Sequence, residues 1–269
     1  MAVKIILNLS FRETEEYLKI YLPSEQVPDH TTLYYRFKKF PIKKIEKIIK
    51  QTAEQIIKKL GNKEIYTAIA DGTGFGYDEA YYLNNKRGAE IRKIKSHIKT
   101  EVLIGSVKGK KFVLSVKTDK AYTDENKLLL QMLNEGVFDK IRGRYFLGDR
   151  YYGKNVKVLE ELNRLGIDVI VPVKDKLRQK VRNKYRLKAK HNYEKEFKRK
   201  VYKRHRYKVE QLIGNVKNWF GDRFNSKSFE LAQRYVLVGF LLYNLYLLVR
   251  LCFFAFLFHR FFICFISVF

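Results

Sequence analysis

A chain of 269 residues with 46% apolar content can bury a substantial core, either as one large domain or as a small domain beside a larger one. Its 55 Lys and Arg against 28 Asp and Glu leave a formal charge of +27, which selects a polyanionic partner; because the basic residues run through structured and polar segments alike, a nucleic-acid backbone fits better than an anionic membrane surface. Only Cys252 and Cys264 are present, excluding a disulfide framework or a CxxC zinc site, and the N-terminus turns polar too soon for a secretory signal, so the expected compartment is the reducing cytoplasm, in association with the nucleoid.

Residues 1–62 read as a helical region suited to binding DNA. Ser10 and Glu13 have capping-box spacing ahead of Tyr17, Leu18 and Ile20. Pro41 suits the first turn of a helix with Ile45, Ile48, Ile49, Ile56 and Ile57 on one face. Between them, His30 to Lys39 mixes aromatic and basic residues, either as a helix that enters a DNA groove or as an ordinary amphipathic helix with a solvated basic face.

From residue 63 to 250 the pattern alternates between strands and helices. Glu64 to Ala70 is rich in β-branched and aromatic residues and ends on Asp71, and Gly72, Gly74 and Gly76 then predict a turn. Thr100–Val107 and Lys111–Thr118 form a hairpin through Gly109. Asp124 caps a helix carrying Leu128, Leu129, Met132 and Leu133, a strand leads from Arg144 to Asp149, and Lys154–Leu165 is a further helix. Asp168 to Val173 is a fifth strand, with Pro172 marking an edge or a strand end. Right-handed crossovers then make the later strands parallel, so that Asp71 and Asp149 share one sheet rim while Asp168 lies at the opposite one.

Residues 174–208 are densely basic and interleaved with Tyr185, Tyr193, Phe197, Tyr202 and Tyr207, a composition suited to tracking phosphates with rings against bases or sugars, in part ordered only on DNA. The alternative is a solvated linker. In the helix that follows, Arg206, Glu210 and Lys217 fall on one face, an acid between two cations. With Asp71 and Asp149, Glu210 makes three hard oxygen ligands of the kind Mg²⁺ or Mn²⁺ accepts, and two such ions would serve an in-line phosphoryl displacement; Glu194 and Glu196 are rival third acids.

Four stretches carry a resemblance: Ile69 to Phe75, Lys93 to Lys99, Tyr145 to Gly153, and Arg206 through Lys217. They resemble the DDE transposases of prokaryotic insertion sequences, whose helical signature spaces Arg, Glu and Lys as Arg206, Glu210 and Lys217 are spaced; Tyr202 stands one residue further from Arg206 than the signature Tyr. The resemblance implies an α/β fold with a ribonuclease H-like mixed sheet flanked by helices, and two Mg²⁺ (or Mn²⁺) ions held by Asp71, Asp149 and Glu210. It also implies cleavage at transposon ends and attack of the freed 3′-hydroxyl on target DNA. Arg206, Lys217, Tyr202, Lys95, His97 and Arg150 become expected DNA contacts, His97 having a purely structural role as its alternative. Joining two ends implies a homodimer or a higher assembly. A nuclease on the same scaffold and an inactive DNA-binding remnant remain the alternatives. No membrane partner is expected: residues 229–249 read as a core helix, and the Phe-rich tail 251–269 is broken by His259 and Arg260, as if altered or out of frame beyond the natural end.

Overall fold

The computed structural model describes residues 2–62, 64–83, 92–173, 181–226 and 228–266; within these, 79–83, 92–96 and 253–266 are described by their backbone course alone. Four helices lead in: α1 (Ala2–Ile6), α2 (Phe11–Tyr21), α3 (His30–Lys39) and α4 (Ile42–Lys59). The capping box of α2 is formed, the Ser10 hydroxyl accepting from the Glu13 amide at 3.1 Å and the Glu13 carboxylate accepting from the Ser10 amide at 2.6 Å. Helix α3 buries Phe37 against Tyr235 and leaves Thr31, Tyr35, Lys38 and Lys39 exposed along one stripe.

The sheet starts with β1 (Glu64–Leu83), β2 (Arg92–Val107) and β3 (Lys110–Lys120), each antiparallel to the next. Lys108 and Gly109 join the last two with φ of 45° and 78°, the left-handed pair that a right-twisted hairpin prefers. Helix α5 (Glu125–Asn134) then crosses to β4 (Arg142–Leu147), which runs parallel to β1, and α6 (Val156–Arg164) crosses to β5 (Asp168–Ile170), parallel to β4. The order β3-β2-β1-β4-β5 is the ribonuclease H-like mixed sheet expected from the sequence. Helices α7 (Lys184–Glu194), α8 (Glu196–His205), α9 (Lys208–Phe220) and α10 (Phe229–Ile266) follow, with β6 (Arg223–Phe224) adding a short parallel pair to the far half of β1.

Two expectations need correction. Strand β1 does not end at Asp71; it continues through all three glycines, paired with β2 from Gly72↔Glu101 to Gly76↔His97. These glycines alternate with Thr73, Phe75 and Tyr77 and serve close approach rather than a turn. A Cβ at Gly72 would collide with the Glu125 carboxylate, one at Gly74 would lie 3.1 Å from the His97 ring, and one at Gly76 would lie 3.2 Å from the Arg223 side chain. The second correction concerns the basic segment that carries Glu194 and Glu196, expected to be ordered in part only on DNA or to be a solvated linker. Residues 174–180 lie outside the described residues, but the remainder forms α7 and α8, with Glu194 closing the first and Glu196 opening the second. Asn183 caps α7, and Asn192 donates to the Val169 carbonyl at 3.1 Å, docking the helix on β5.

Helices cover both faces of the sheet. Ile69, Phe75 and Val102 face α9 and α10, whereas Ala68, Ala70 and Leu103 face α5 and α6. Helix α4 runs along the β3 edge and meets both layers, with Ile45 and Ile49 in one and Ile56 in the other. Helix α10 continues well past residue 249, and over Phe229–Cys252 it is long and apolar enough to cross a membrane, yet half of that window is buried inside the molecule. Leu237 and Phe240 are fully buried against the sheet, as the core-helix reading required.

Asn244 closes that packing. Fully buried, it accepts from the Val113 amide at 2.8 Å and donates to the Val113 carbonyl at 2.8 Å and to the Thr52 hydroxyl at 3.1 Å, so one side chain satisfies edge-strand groups with no strand beside them. Asn244→Ala should therefore cost about 3 kcal/mol, since buried donors and acceptors lose their partners. Chemical denaturation checks this; a loss below about 1 kcal/mol would mean that water replaces the amide.

Candidate active site

Asp71 reaches the site because β1 and β4 run parallel up to Ile69↔Leu147, after which β4 stops and β1 goes on. The turn after β4 places Asp149 beside Asp71 at the rim. Asp149 is held by its own loop, accepting from the Tyr151 amide at 2.7 Å. On the α9 side, Arg206 at the junction of α8 and α9 donates to Asp71 at 3.0 Å and to Glu210 at 3.2 Å, so one guanidinium ties the strand acid to the helix acid. This gives the face shared by Arg206 and Glu210 a use beyond a surface helix pair.

The electrostatics follow from burial. Asp71 is raised to about 6, chiefly by loss of solvent; Arg206 opposes the rise, while the Glu210 and Asp149 charges add to it. Glu210 is largely exposed. Among the described residues no three acids stand close enough to hold an ion as they are. The guanidinium sits between two of them and supplies the positive charge.

The other expected site residues fall in different places. Lys217 lies on the same side as Arg206, its ammonium donating to the Gly74 carbonyl at 2.9 Å and resting 5.0 Å from the Phe75 ring centre. Tyr202, half-buried one helical turn before Arg206, packs edge-on against Tyr193. Its hydroxyl is raised by burial, with Arg206 pulling the other way. Arg150 is exposed next to Asp149. His97 lies across Gly74, on the face of β1 turned away from Asp71. Lys95 pairs with Ala80 in the backbone register, its side chain lying outside those described. Of the rival acids, Glu196 pairs with Lys200 on the outer face of α8, and Glu194 is exposed. Asp168 pairs with Lys198 at 2.7 Å.

The sequence reading missed the other side of the rim. Asp149 also opens on a cleft of about 440 Å³ lined by Lys99, Asp124, Glu125 and Tyr151. Glu125 is ion-paired with Lys99 and presses on Gly72. Glu101 is completely buried, accepts from the Tyr152 hydroxyl at 2.7 Å, and is raised well above the carboxylate range by burial, with the Glu125 and Asp71 charges adding to the effect. The sequence carried only a faint signal: Glu101 stands directly before the apolar run Val102-Leu103-Ile104, but behind the polar Lys99 and Thr100 it reads as the end of an exposed stretch.

Comparison with known proteins places the chain in a family. An uncharacterized protein of Aquifex aeolicus (strain VF5) is 54% identical over 251 residues, spanning 93% of this chain and 76% of the relative. The crystal structure of the Mos1 strand transfer complex aligns with a TM-score of 0.36 at 11% identity, over 90% of this chain and 71% of that one. The Mos1 mariner paired end complex with Mn aligns at 0.27 and 12%, over 83% and 73%. Residues 47–245, from α4 through the buried part of α10, match the model of the transposase DDE domain. The chain belongs to the transposase DDE domain family.

Proposed function

We propose that this protein is a DNA transposase that cuts the ends of an insertion sequence and joins them to target DNA, with Asp71, Asp149 and Glu210 as ligands for divalent ions. The observation that carries the reading is that Asp71 and Asp149 share the rim where β4 ends, near enough for the Asp149 charge to act on Asp71, with Arg206 linking Asp71 to Glu210. The donor set fits Mg²⁺ or Mn²⁺: three hard oxygen donors, one of them raised in part by its neighbours' charge, which is the repulsion a cation would relieve. Bound there, two ions would activate the attacking hydroxyl and stabilise the leaving oxygen. Arg206 would move from the carboxylates to a DNA phosphate, for which its forked donors are suited. Lys217, held to the β1 backbone, would place its charge beside the scissile strand.

DNA would reach this rim along α7 and α8, where Phe197 and Tyr207 stand exposed among Lys200, Lys203 and Arg204. The stripe of Thr31, Tyr35, Lys38 and Lys39 on α3 would contact the transposon ends. Arg150 would contact phosphate next to Asp149. Two copies of the chain would hold the two ends, in the cytoplasm with the nucleoid.

A labelled duplex carrying the element's own ends tests the reading. With Mg²⁺ or Mn²⁺ the protein should nick at the end, expose a 3′-hydroxyl and join it to a target duplex. Nicking without joining makes the protein a nuclease, and binding without nicking makes it a DNA-binding remnant. The raised Asp71 adds a pH dependence. A carboxyl at about 6 in the fold and near 4 when unfolded binds a proton in between, so protonation favours the fold there and competes with metal. Mn²⁺ affinity should fall roughly tenfold per unit below pH 6, a slope read by calorimetric titration at pH 5, 6 and 7. A flat profile would contradict Asp71 as a ligand.

A further inference from the structure

Asp149 is the acid whose carrier is neither strand nor helix, so something else must fix it. The turn that bears it is bonded at two points. The Tyr151 hydroxyl donates to Asp124 at 3.0 Å on the exposed side, and the Tyr152 hydroxyl donates to Glu101 at 2.7 Å inside the protein. The inner bond is built with care. Tyr152 and Glu101 are both fully buried, the ring lies so close to Gly148 that a Cβ there would stand 2.6 Å from it, and Glu101 is paired across the strands with Gly72, next to Asp71. The second Glu101 oxygen has no hydrogen-bond partner among the described residues.

Burying a carboxyl that is only half satisfied costs stability, and a Leu opposite a Phe would fill the same space without that cost. The pair therefore makes sense for where it puts the chain. We propose that Glu101 and Tyr152 are a positioning pair that pins the Asp149 turn to β2, setting the Asp149 carboxylate level with Asp71 so that both meet one ion. This rests on the reading of Asp71 and Asp149 as metal ligands. Neither residue touches substrate or metal; they act through Asp149, as partners behind a ligand do.

Mn²⁺ titration of the full chain, with thermal unfolding and hydrogen exchange of residues 150–155 on the same samples, tests it. Tyr152→Phe should weaken Mn²⁺ binding about tenfold and speed exchange in the turn. Glu101→Gln, which keeps the acceptor, should stay within about twofold of wild type, the rescue expected of a residue that acts as a hydrogen-bond acceptor. The double variant Glu101→Leu with Tyr152→Phe separates packing from positioning: its thermal midpoint should recover while Mn²⁺ binding stays about tenfold weak. Wild-type Mn²⁺ affinity in Tyr152→Phe or in the double variant would overturn the proposal, provided Asp149→Ala abolishes binding. If Asp149→Ala binds Mn²⁺ as wild type does, the metal reading fails, and the positioning pair fails with it.

Discussion

Replacing Asp71 or Asp149 by Ala should lower cleavage of transposon-end DNA by about 10³-fold or more while leaving DNA affinity within a few fold. The size of the loss follows from geometry. The two carboxylates stand at one rim, Asp71 on β1 and Asp149 in the turn after β4, so removing either leaves only the other to hold ions that need several. DNA affinity should survive because the charge that attracts phosphates lies elsewhere, on α3, α7 and α8 and in the excess of 55 basic over 28 acidic residues. Single-turnover cleavage and salt-dependent binding, measured on the same preparations, check both halves. A variant that loses binding and cleavage together would place these acids in the fold rather than in the chemistry.

Arg206→Ala should be nearly as severe, with about a 10²-fold loss of cleavage or more, but through a different route. The guanidinium spans Asp71 and Glu210 at 3.0 and 3.2 Å, so its removal leaves a partly buried acid without its cation. Arg206 is the strongest influence holding the Asp71 carboxyl down, and without it the group should titrate above 6. A proton would then occupy the ligand closer to neutral pH, and the activity profile should shift to higher pH. Arg206→Lys keeps the charge but cannot bridge two carboxylates with one forked group, so it should fall between wild type and Ala. Unchanged cleavage with an unshifted pH profile in Arg206→Ala would mean that the bridge has no part in the reaction.

Much of this site could be read from residue patterns. Asp71 and Asp149 each follow a β-branched or aromatic run, and the order of elements around them was enough to place β4 parallel to β1 with both acids toward one rim, although β1 runs on past Asp71. Arg206 and Glu210 were found by helical spacing, and the contact from Arg206 to Asp71 gave that spacing a partner 135 residues away. The glycines misled, because Gly72, Gly74 and Gly76 each suggest a turn when read alone. Their period of two, alternating with Thr73, Phe75 and Tyr77, is the strand signal, and what they make room for is known only once Glu125, His97 and Arg223 are folded against them. The basic segment misled for a related reason: its charge hid the few inward residues, Ala189, Asn192 and Val201, that hold α7 and α8 in place. Glu101 and Tyr152 lie 51 residues apart and meet through the pairing of β1 with β2 and the turn after β4, a juxtaposition that no local pattern encodes.

The third acid decides the account most directly, because Asp149 faces two candidates. Glu210 is joined to Asp71 through Arg206 on one face of β1, whereas Glu125, ion-paired with Lys99, presses on Gly72 from the other. The measurement is Mn²⁺-dependent cleavage of a transposon-end duplex by Glu210→Ala and Glu125→Ala, each at wild-type thermal stability. Loss of about 10³-fold in Glu210→Ala, with Glu125→Ala retaining cleavage within about tenfold, is the predicted result. Cleavage that survives Glu210→Ala and vanishes in Glu125→Ala would put the metal centre on the opposite face of β1 and contradict the triad.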